Sequence, residues 1–290
     1  MIRPFQQDDA FLADLDRAGD SAPGSLHVWW LGQSGFLVQW QGHRLLLDPY
    51  LSDSLTHKYA GTDKPHVRMT ERVIEPGRLT GIAAVTASHA HTDHLDPETL
   101  VPLVRANPGL RMVFPEAIRS LVAARSGLPE EALSGLDAPS VGRPAGPGAL
   151  TSVTLGVFEF EAVPAAHERL DCDPLGRLSC LGFLIRVGPW TLYHSGDTVL
   201  FPGMEERLLE ARVDLAFLPI NGRSAERRVA GNLWGPEAAG LARRAGLRRV
   251  IPCHYELFEF NTASPAAFEA QCQALEQPYH RLRAGERLTL

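Results

Sequence analysis

Apolar positions along the chain change their period several times, and each change marks an element. Residues 4–18 carry apolar side chains at helical spacing, which predicts an amphipathic helix capping the fold. From Leu26 short β-rich runs take over, at 26–31, 35–40 and 44–48, punctuated by Gly32, Gly35 and Gly42, and Gln41-Gly42 fits a hairpin turn. The apolar run 82–86 predicts a buried strand that delivers the chain into a histidine-rich loop. Asp96 followed by Pro97 predicts an N-cap and the first position of a helix through about Arg105. Residues 111–114 read as a strand, with a helix after Pro115 and a second helical piece near 130–134.

Residues 135–150 are rich in Gly, Pro and Ala and predict a loop at the seam between two halves. Beyond it β runs restart at 151–155, 157–163, 181–187 and 190–194. Helices at about 203–211, 236–245 and 265–276 then alternate with strands at 215–219 and 250–252, and 281–290 returns to a short strand pair. Each half runs hairpins first and β–α units afterwards. That order predicts an α/β protein with two sheets packed face to face and helices outside, a four-layer αββα sandwich. The seam is too short to force two separate bodies, so residues 1–290 are expected to form a single domain.

Composition narrows the function classes. A hydrophobic fraction of 44% and a charged fraction of 21% are ordinary for a globular protein. A net charge of −6 argues against a general nucleic-acid or acidic-membrane binder. No apolar run reaches the roughly 18 residues needed to span a bilayer, and the N-terminal stretch lacks a signal-peptide hydrophobic region, so the expected address is cytoplasmic. Cys172, Cys180, Cys253 and Cys272 form no C-x-x-C pair and read as free thiols, with Cys253 as buried filler.

The chemistry concentrates at residues 88–97, Ser-His-Ala-His-Thr-Asp-His-Leu-Asp-Pro. Three of the 11 histidines and a carboxylate fall within six positions there: His89, His91, Asp93 and His94, in the order H-x-H-x-D-H. Neutral imidazole with carboxylate is a ligand set for zinc, iron or manganese. Further donors stand where later apolar strands stop: His167, Asp197 and His254. In open β/α architectures, sites gather where strands end and loops begin.

Taken in this order, the residues resemble the metallo-β-lactamase superfamily. A closer resemblance, to the L-ascorbate-6-phosphate lactonase branch, is carried by Trp30-Leu-Gly-Gln-Ser-Gly35, Asp48-Pro-Tyr-Leu-Ser-Asp53, Tyr193-His-Ser-Gly-Asp-Thr198 and Leu218-Pro-Ile-Asn-Gly-Arg223. Gly231-Asn232, Pro236-Glu-Ala-Ala239 and Cys253-His-Tyr-Glu-Leu-Phe-Glu-Phe-Asn-Thr262 belong to the same set. The resemblance implies two adjacent divalent ions, manganese or zinc, with iron also open. His89, His91 and His167 would hold the first, and Asp93, His94 and His254 the second, with Asp197 bridging. A water shared by two divalent cations loses a proton near neutral pH, and Asp93 is placed to orient it. The implied function is a metal-dependent hydrolase that opens a lactone or related ester on a phosphorylated sugar acid such as L-ascorbate 6-phosphate. The alternatives are a phosphodiesterase or RNA-processing nuclease of the same fold, against which the acidic net charge counts, and a non-catalytic binding protein. The branch also implies a homo-oligomer.

Beyond the metal donors, Asp48 and His194 are candidates to support ligating imidazoles from behind. The polar insertion 51–72 holds Lys58 and Lys64, the only lysines in the chain. With Asn221 and Arg223 they are the candidates for binding a small anionic substrate. Trp234 and Tyr255 read as core aromatics.

Overall fold

The computed structural model describes every residue except Asp20 and Pro23. The first half runs α1 (Asp8–Gly19), β1 (Leu26–Gly32), β2 (Gly35–Trp40), β3 (His43–Leu47), α2 (Ser54–Tyr59), β4 (Ile82–Thr86), α3 (Pro97–Ala106), β5 (Arg111–Pro115), α4 (Arg119–Ser126) and β6 (Leu133–Leu136). The second runs β7 (Ser152–Leu155), β8 (Phe158–Pro164), β9 (Leu181–Val187), β10 (Trp190–His194), α5 (Met204–Ala211), β11 (Leu215–Pro219), α6 (Gly235–Arg244), β12 (Val250–Cys253), α7 (Ala266–Ala274) and β13 (Arg287–Thr289).

These strands form a seven-stranded sheet, β13-β1-β2-β3-β4-β5-β6, and a six-stranded sheet, β12-β11-β10-β9-β8-β7. In both, an antiparallel meander gives way to parallel strands: β3, β4, β5 and β6 in the first, and β10, β11 and β12 in the second. Parallel neighbours need crossovers: α3, α4, α5 and α6 supply four of them in an αββα sandwich, and the long segment containing α2 makes the fifth, between β3 and β4. The inner faces meet in one apolar cluster drawing on both sheets, where the Phe36 and Phe217 ring centroids lie 4.3 Å apart. β1 is buried along its whole length, as expected of a strand covered on both faces.

Four expectations change. The segment 130–134 is a 3₁₀ turn, Glu130–Ala132, that runs directly into β6, because Leu133 and Leu136 bury themselves by pairing with β5. The C-terminal segment makes no hairpin of its own: its strand adds to the edge of the first sheet beside β1. The insertion 51–72 contains a short helix, α2. The first helix starts at Asp8, later than its apolar spacing suggested.

Asp96 caps α3 as its sequence predicts, accepting from the backbone amides of Thr99 at 2.9 Å and Glu98 at 3.3 Å. The same carboxylate accepts from the hydroxyls of Ser52 (2.6 Å), Ser54 (2.9 Å) and Thr99 (2.6 Å), so one side chain ties the helix start to the entry of α2. Asp96→Ala removes a cap and orphans buried hydroxyls, and is expected to cost about 2–4 kcal/mol. The midpoint of urea unfolding checks this, and a shift equivalent to less than about 0.5 kcal/mol would contradict it.

Candidate metal centre

Each candidate donor leaves the C-terminal end of a strand. His89, His91, Asp93 and His94 follow β4, His167 follows β8, Asp197 follows β10 and His254 follows β12. The backbone amide of Leu181, the first residue of β9, donates to the carbonyl of Ser88 at 2.9 Å and ties the second sheet to this loop. Gly196 has φ +58°, and a Cβ there would stand 2.5 Å from the Ser88 side chain, so only glycine lets the Asp197 turn approach.

Beneath the loop lies Asp48, wholly buried at the end of β3. It accepts hydrogen bonds from Thr86 Oγ1 (2.7 Å), the Ser88 amide (3.1 Å), the Ser88 hydroxyl and His94 Nδ1 (2.7 Å). Burial alone would raise its pKa; the His194 and His94 imidazoles and Ser88 outweigh burial and hold the carboxyl below its usual range. With Nδ1 engaged by Asp48, His94 turns Nε2 toward the other donors. His194 stays outside the cluster: its Nε2 bonds the carbonyl of Ser34 at 2.9 Å and its ring packs on Phe36 and Phe217.

The donors fall into three groupings with ligand atoms within 4.8 Å of one another: His89, His91 and His167; His89, His94 and Asp197; and Asp93, His94 and His254. Tetrahedral coordination at about 2.0–2.1 Å places neighbouring donor atoms roughly 3.3–3.4 Å apart. Here His91 Nδ1 lies 3.0 Å from His89 Nε2 and 3.3 Å from His167 Nε2. Asp197 stands between the outer groupings, Oδ1 3.4 Å from His94 Nε2 and Oδ2 3.3 Å from His254 Nε2 and 3.8 Å from His167 Nε2. His94 Nε2 and Asp197 Oδ1 are buried with no hydrogen-bond partner, an arrangement a cation between them would satisfy. The residues therefore fit a metal centre.

The electrostatics point the same way. Burial, then neighbouring His94, His91 and His167, push the His89 pKa well below its usual value, which leaves a neutral nitrogen donor at neutral pH. Burial opposes ionisation of Asp197, but His254 and His94 overcome it and hold that carboxyl well below the usual range. His94 is the opposite case. Burial would lower its pKa, yet Asp197 and Asp93 raise it well above, and a proton or a metal ion answers the same negative potential. The thiols are poor donors here: burial pushes Cys180 up to about 12 and Cys253 well above its ordinary value.

A cavity of about 490 Å³ opens over the donors, and Lys58 and Lys64 line it. Arg223 does not. Its guanidinium forms a two-pronged pair with Glu237, both contacts 2.7 Å, and bonds the carbonyl of Asn232, which turns it onto a neighbouring surface. Asn221 is buried beside the cavity, donating to Asn261 Oδ1 at 2.9 Å and accepting from Asn232 at 3.0 Å, so its amide is spent on packing the turn. Tyr255 is core, stacked on Trp30 at 4.4 Å, whereas Trp234 is 37% exposed. Sequence reasoning missed Arg125 and Arg228, which line the cavity, and gave no role to Gln33, which contacts Asp93. Arg228 lies in the same turn as Arg223, five positions on; Arg125 sits on a helix with nothing in its sequence to link it to the donor loop.

Asp48→Asn keeps the shape but removes the charge behind His94. It is expected to weaken divalent-ion binding by about 10–100-fold, read by isothermal titration with thermal unfolding as the control for fold. Unchanged affinity would confine Asp48 to holding the loop.

The comparisons with known proteins place the chain. A metal-dependent hydrolase of the UPF0173 group from Pyrobaculum neutrophilum is 28% identical over 255 residues, covering 87% of this chain and 94% of its own. Among solved structures, a metallo hydrolase from Ignicoccus hospitalis superposes with TM-score 0.64 at 20% identity, covering 92% of this chain and 98% of that one. An isothiocyanate hydrolase from Delia radicum gut bacteria gives 0.69 at 16%, covering 90% and 98%. The family described as the beta-lactamase superfamily domain matches residues 43–255, a span that takes in all seven converging donors, and the protein belongs to that family.

Proposed function

We propose that the protein is a binuclear metal-dependent hydrolase that opens a lactone or related ester in a small anionic substrate. The observation that carries this reading is the convergence of seven imidazole and carboxylate donors, five of which (His91, Asp93, His167, Asp197 and His254) line the floor of a cavity whose walls are cationic. The Pyrobaculum relative, named as a metal-dependent hydrolase along nearly its whole length, supports it. The lactone or ester class rests on the resemblance of the sequence motifs to those of the lactonase branch. Donors come from both sides of the seam at 135–150, so we take residues 1–290 as one working unit.

Two divalent ions held there would supply an activated water and Lewis acidity toward the bond to be cleaved. Nitrogen and oxygen donors without thiolate suit manganese, zinc or iron. The chain's own groups do the rest. Asp93 is the accessible carboxylate of the floor, with 16% of its side chain exposed. Burial would raise its pKa, but His94 and His254 keep it below the usual range and therefore ionised. Its Oδ2 is engaged by Gln33, and Oδ1 accepts no hydrogen bond among the described residues. That oxygen can orient the water, take its proton and pass it to the leaving oxygen.

The walls select charge. Lys58 is exposed and has no carboxylate partner among the described residues; Arg125 donates only to the carbonyls of Ala90 (2.8 Å) and Leu95 (3.1 Å). Lys64 bonds the carbonyl of Arg227, and Arg228 pairs with Asp63. These cations outnumber the acidic partner offered to them, so a phosphate or carboxylate on the substrate would find donors.

Protein purified without chelators is expected to hold about two metal equivalents by elemental analysis and to open phosphorylated lactones. Cleavage of a phosphodiester reporter with no lactone opening would overturn the substrate class. Lys58→Ala is expected to raise KM for a phosphorylated substrate by about tenfold with kcat and metal content preserved. Arg223→Ala, away from the cavity, should leave KM unchanged; equal effects of both substitutions would remove the cation-wall argument.

A further inference from the structure

Gln33 stands in the turn between β1 and β2, outside the segment matched by the family, and its side chain is wholly buried. Its backbone is left-handed, with φ +50°. Its carbonyl accepts from Trp30 Nε1 and from the backbone amide of His254, both at 2.9 Å, and His254 is itself left-handed at φ +62°. Two strained residues therefore hold each other in place across the junction of the two sheets.

The carboxamide nitrogen of Gln33 lies 2.7 Å from Asp93 Oδ2 and 3.1 Å from His254 Nε2. Only the NH₂ end of the amide is compatible with a carboxylate oxygen at that distance, so Asp93 fixes the orientation of the amide. Its two hydrogens then go to Asp93 and to His254. The amide oxygen is left buried with no hydrogen-bond partner among the described residues. A glutamine placed for packing alone would turn that oxygen toward a donor. The second hydrogen faces His254 Nε2, whose single lone pair goes to a metal ion when one binds, so the side-chain contact that survives metal binding is the one to Asp93, while the Gln33 carbonyl keeps hold of the His254 amide.

We propose that Gln33 is a positioning residue for the Asp93, His94 and His254 grouping: its carboxamide fixes the rotation of the Asp93 carboxylate, and its carbonyl anchors the backbone of His254. It thereby sets how tightly, and in what geometry, that grouping binds a divalent ion. The proposal rests on the metal-centre reading above. Gln33 acts only through the two donors it touches, and its removal is felt at one ion and not at the other.

The test uses the protein as purified, its cobalt(II)-substituted form, and the variants Gln33→Met and Gln33→Asn. Wild type should hold two equivalents and show the visible bands of both cobalt sites. Gln33→Met, matched in volume but without the amide, should lose one of them to a chelator at about 10–100-fold lower concentration. The bands of that site should change and those of the other remain. Gln33→Asn keeps a buried amide but withdraws it by one methylene, so it serves if the methionine variant does not fold, and it should weaken the same ion to a smaller degree. In the Asp93→Asn background, Gln33→Met should add little. Folded variants that retain both ions and the wild-type cobalt spectrum would overturn the positioning role. Wild type that holds fewer than two ions would instead overturn the binuclear reading beneath it.

Discussion

An ionised carboxylate with no exposed surface is costly unless its oxygens are fully hydrogen-bonded. Asp48 meets that condition with donors from β4, from the loop after it and from His94. Because those donors are the start of the histidine loop itself, satisfying the carboxylate and shaping the loop are one event. The end of β3, the end of β4 and the imidazole of His94 cannot move independently. The second sheet joins the arrangement where Leu181 bonds Ser88 and where glycine at position 196 lets the Asp197 turn come close. The donor cluster is thus assembled across two sheets that each fold locally, with Asp48 fixing the half to which the other docks.

The sequence disclosed much of this because strands and ligands obey rules of short range. Period-2 and buried apolar runs located the strands to within a residue or two at β2, β4, β9, β10 and β11. H-x-H-x-D-H is legible because its members are neighbours in the chain, and His167, Asp197 and His254 because each follows an apolar run that stops. What was not legible depends on contacts between distant segments. Arg223 carried a charge at a strand end, which is the right signal for anion binding, but Glu237 fourteen positions later captured it. Arg125 gives no local signal: its role comes from the packing of α4 under carbonyls about 30 residues earlier. Leu133 reads as the end of a helical piece and Leu136 as the start of a loop, and both become strand because β5 offers an open edge.

The charge distribution also separates the surface from the site. The chain carries a net −6, yet the walls of the cavity are cationic and its floor holds two ionised carboxylates among imidazoles. A uniformly basic face would attract any polyanion; a basic pocket in an acidic protein admits a small anion and repels a long one. The cations sit on the α2 region, on α4 and on the turn around Arg228, elements outside the paired strands, while the donors follow strand ends. The cations of the cavity walls and the donors of its floor are thus borne by different elements of the fold.

The backbone shows where the rigidity is spent. Gln33, Asp48 and His254 all have positive φ without being glycine, a conformation costing on the order of 1–3 kcal/mol each. All three touch the donor cluster or belong to it, and two of them bond each other through the backbone. Four of the ten buried side-chain atoms without partners among the described residues belong to the same place: His94 Nε2, Asp197 Oδ1, Gln33 Oε1 and His254 Nδ1. A relaxed turn and an apolar filler would be more stable if the site served only to hold the sheets together. Strain and unmet hydrogen bonds persist where the surrounding core, continuous across both sheets, leaves no room to relax. An ion that binds only the folded arrangement returns part of that stability. Of these four atoms, His94 Nε2 and Asp197 Oδ1 are the ones a bound cation would satisfy directly, and they are the two that face each other across the donor cluster.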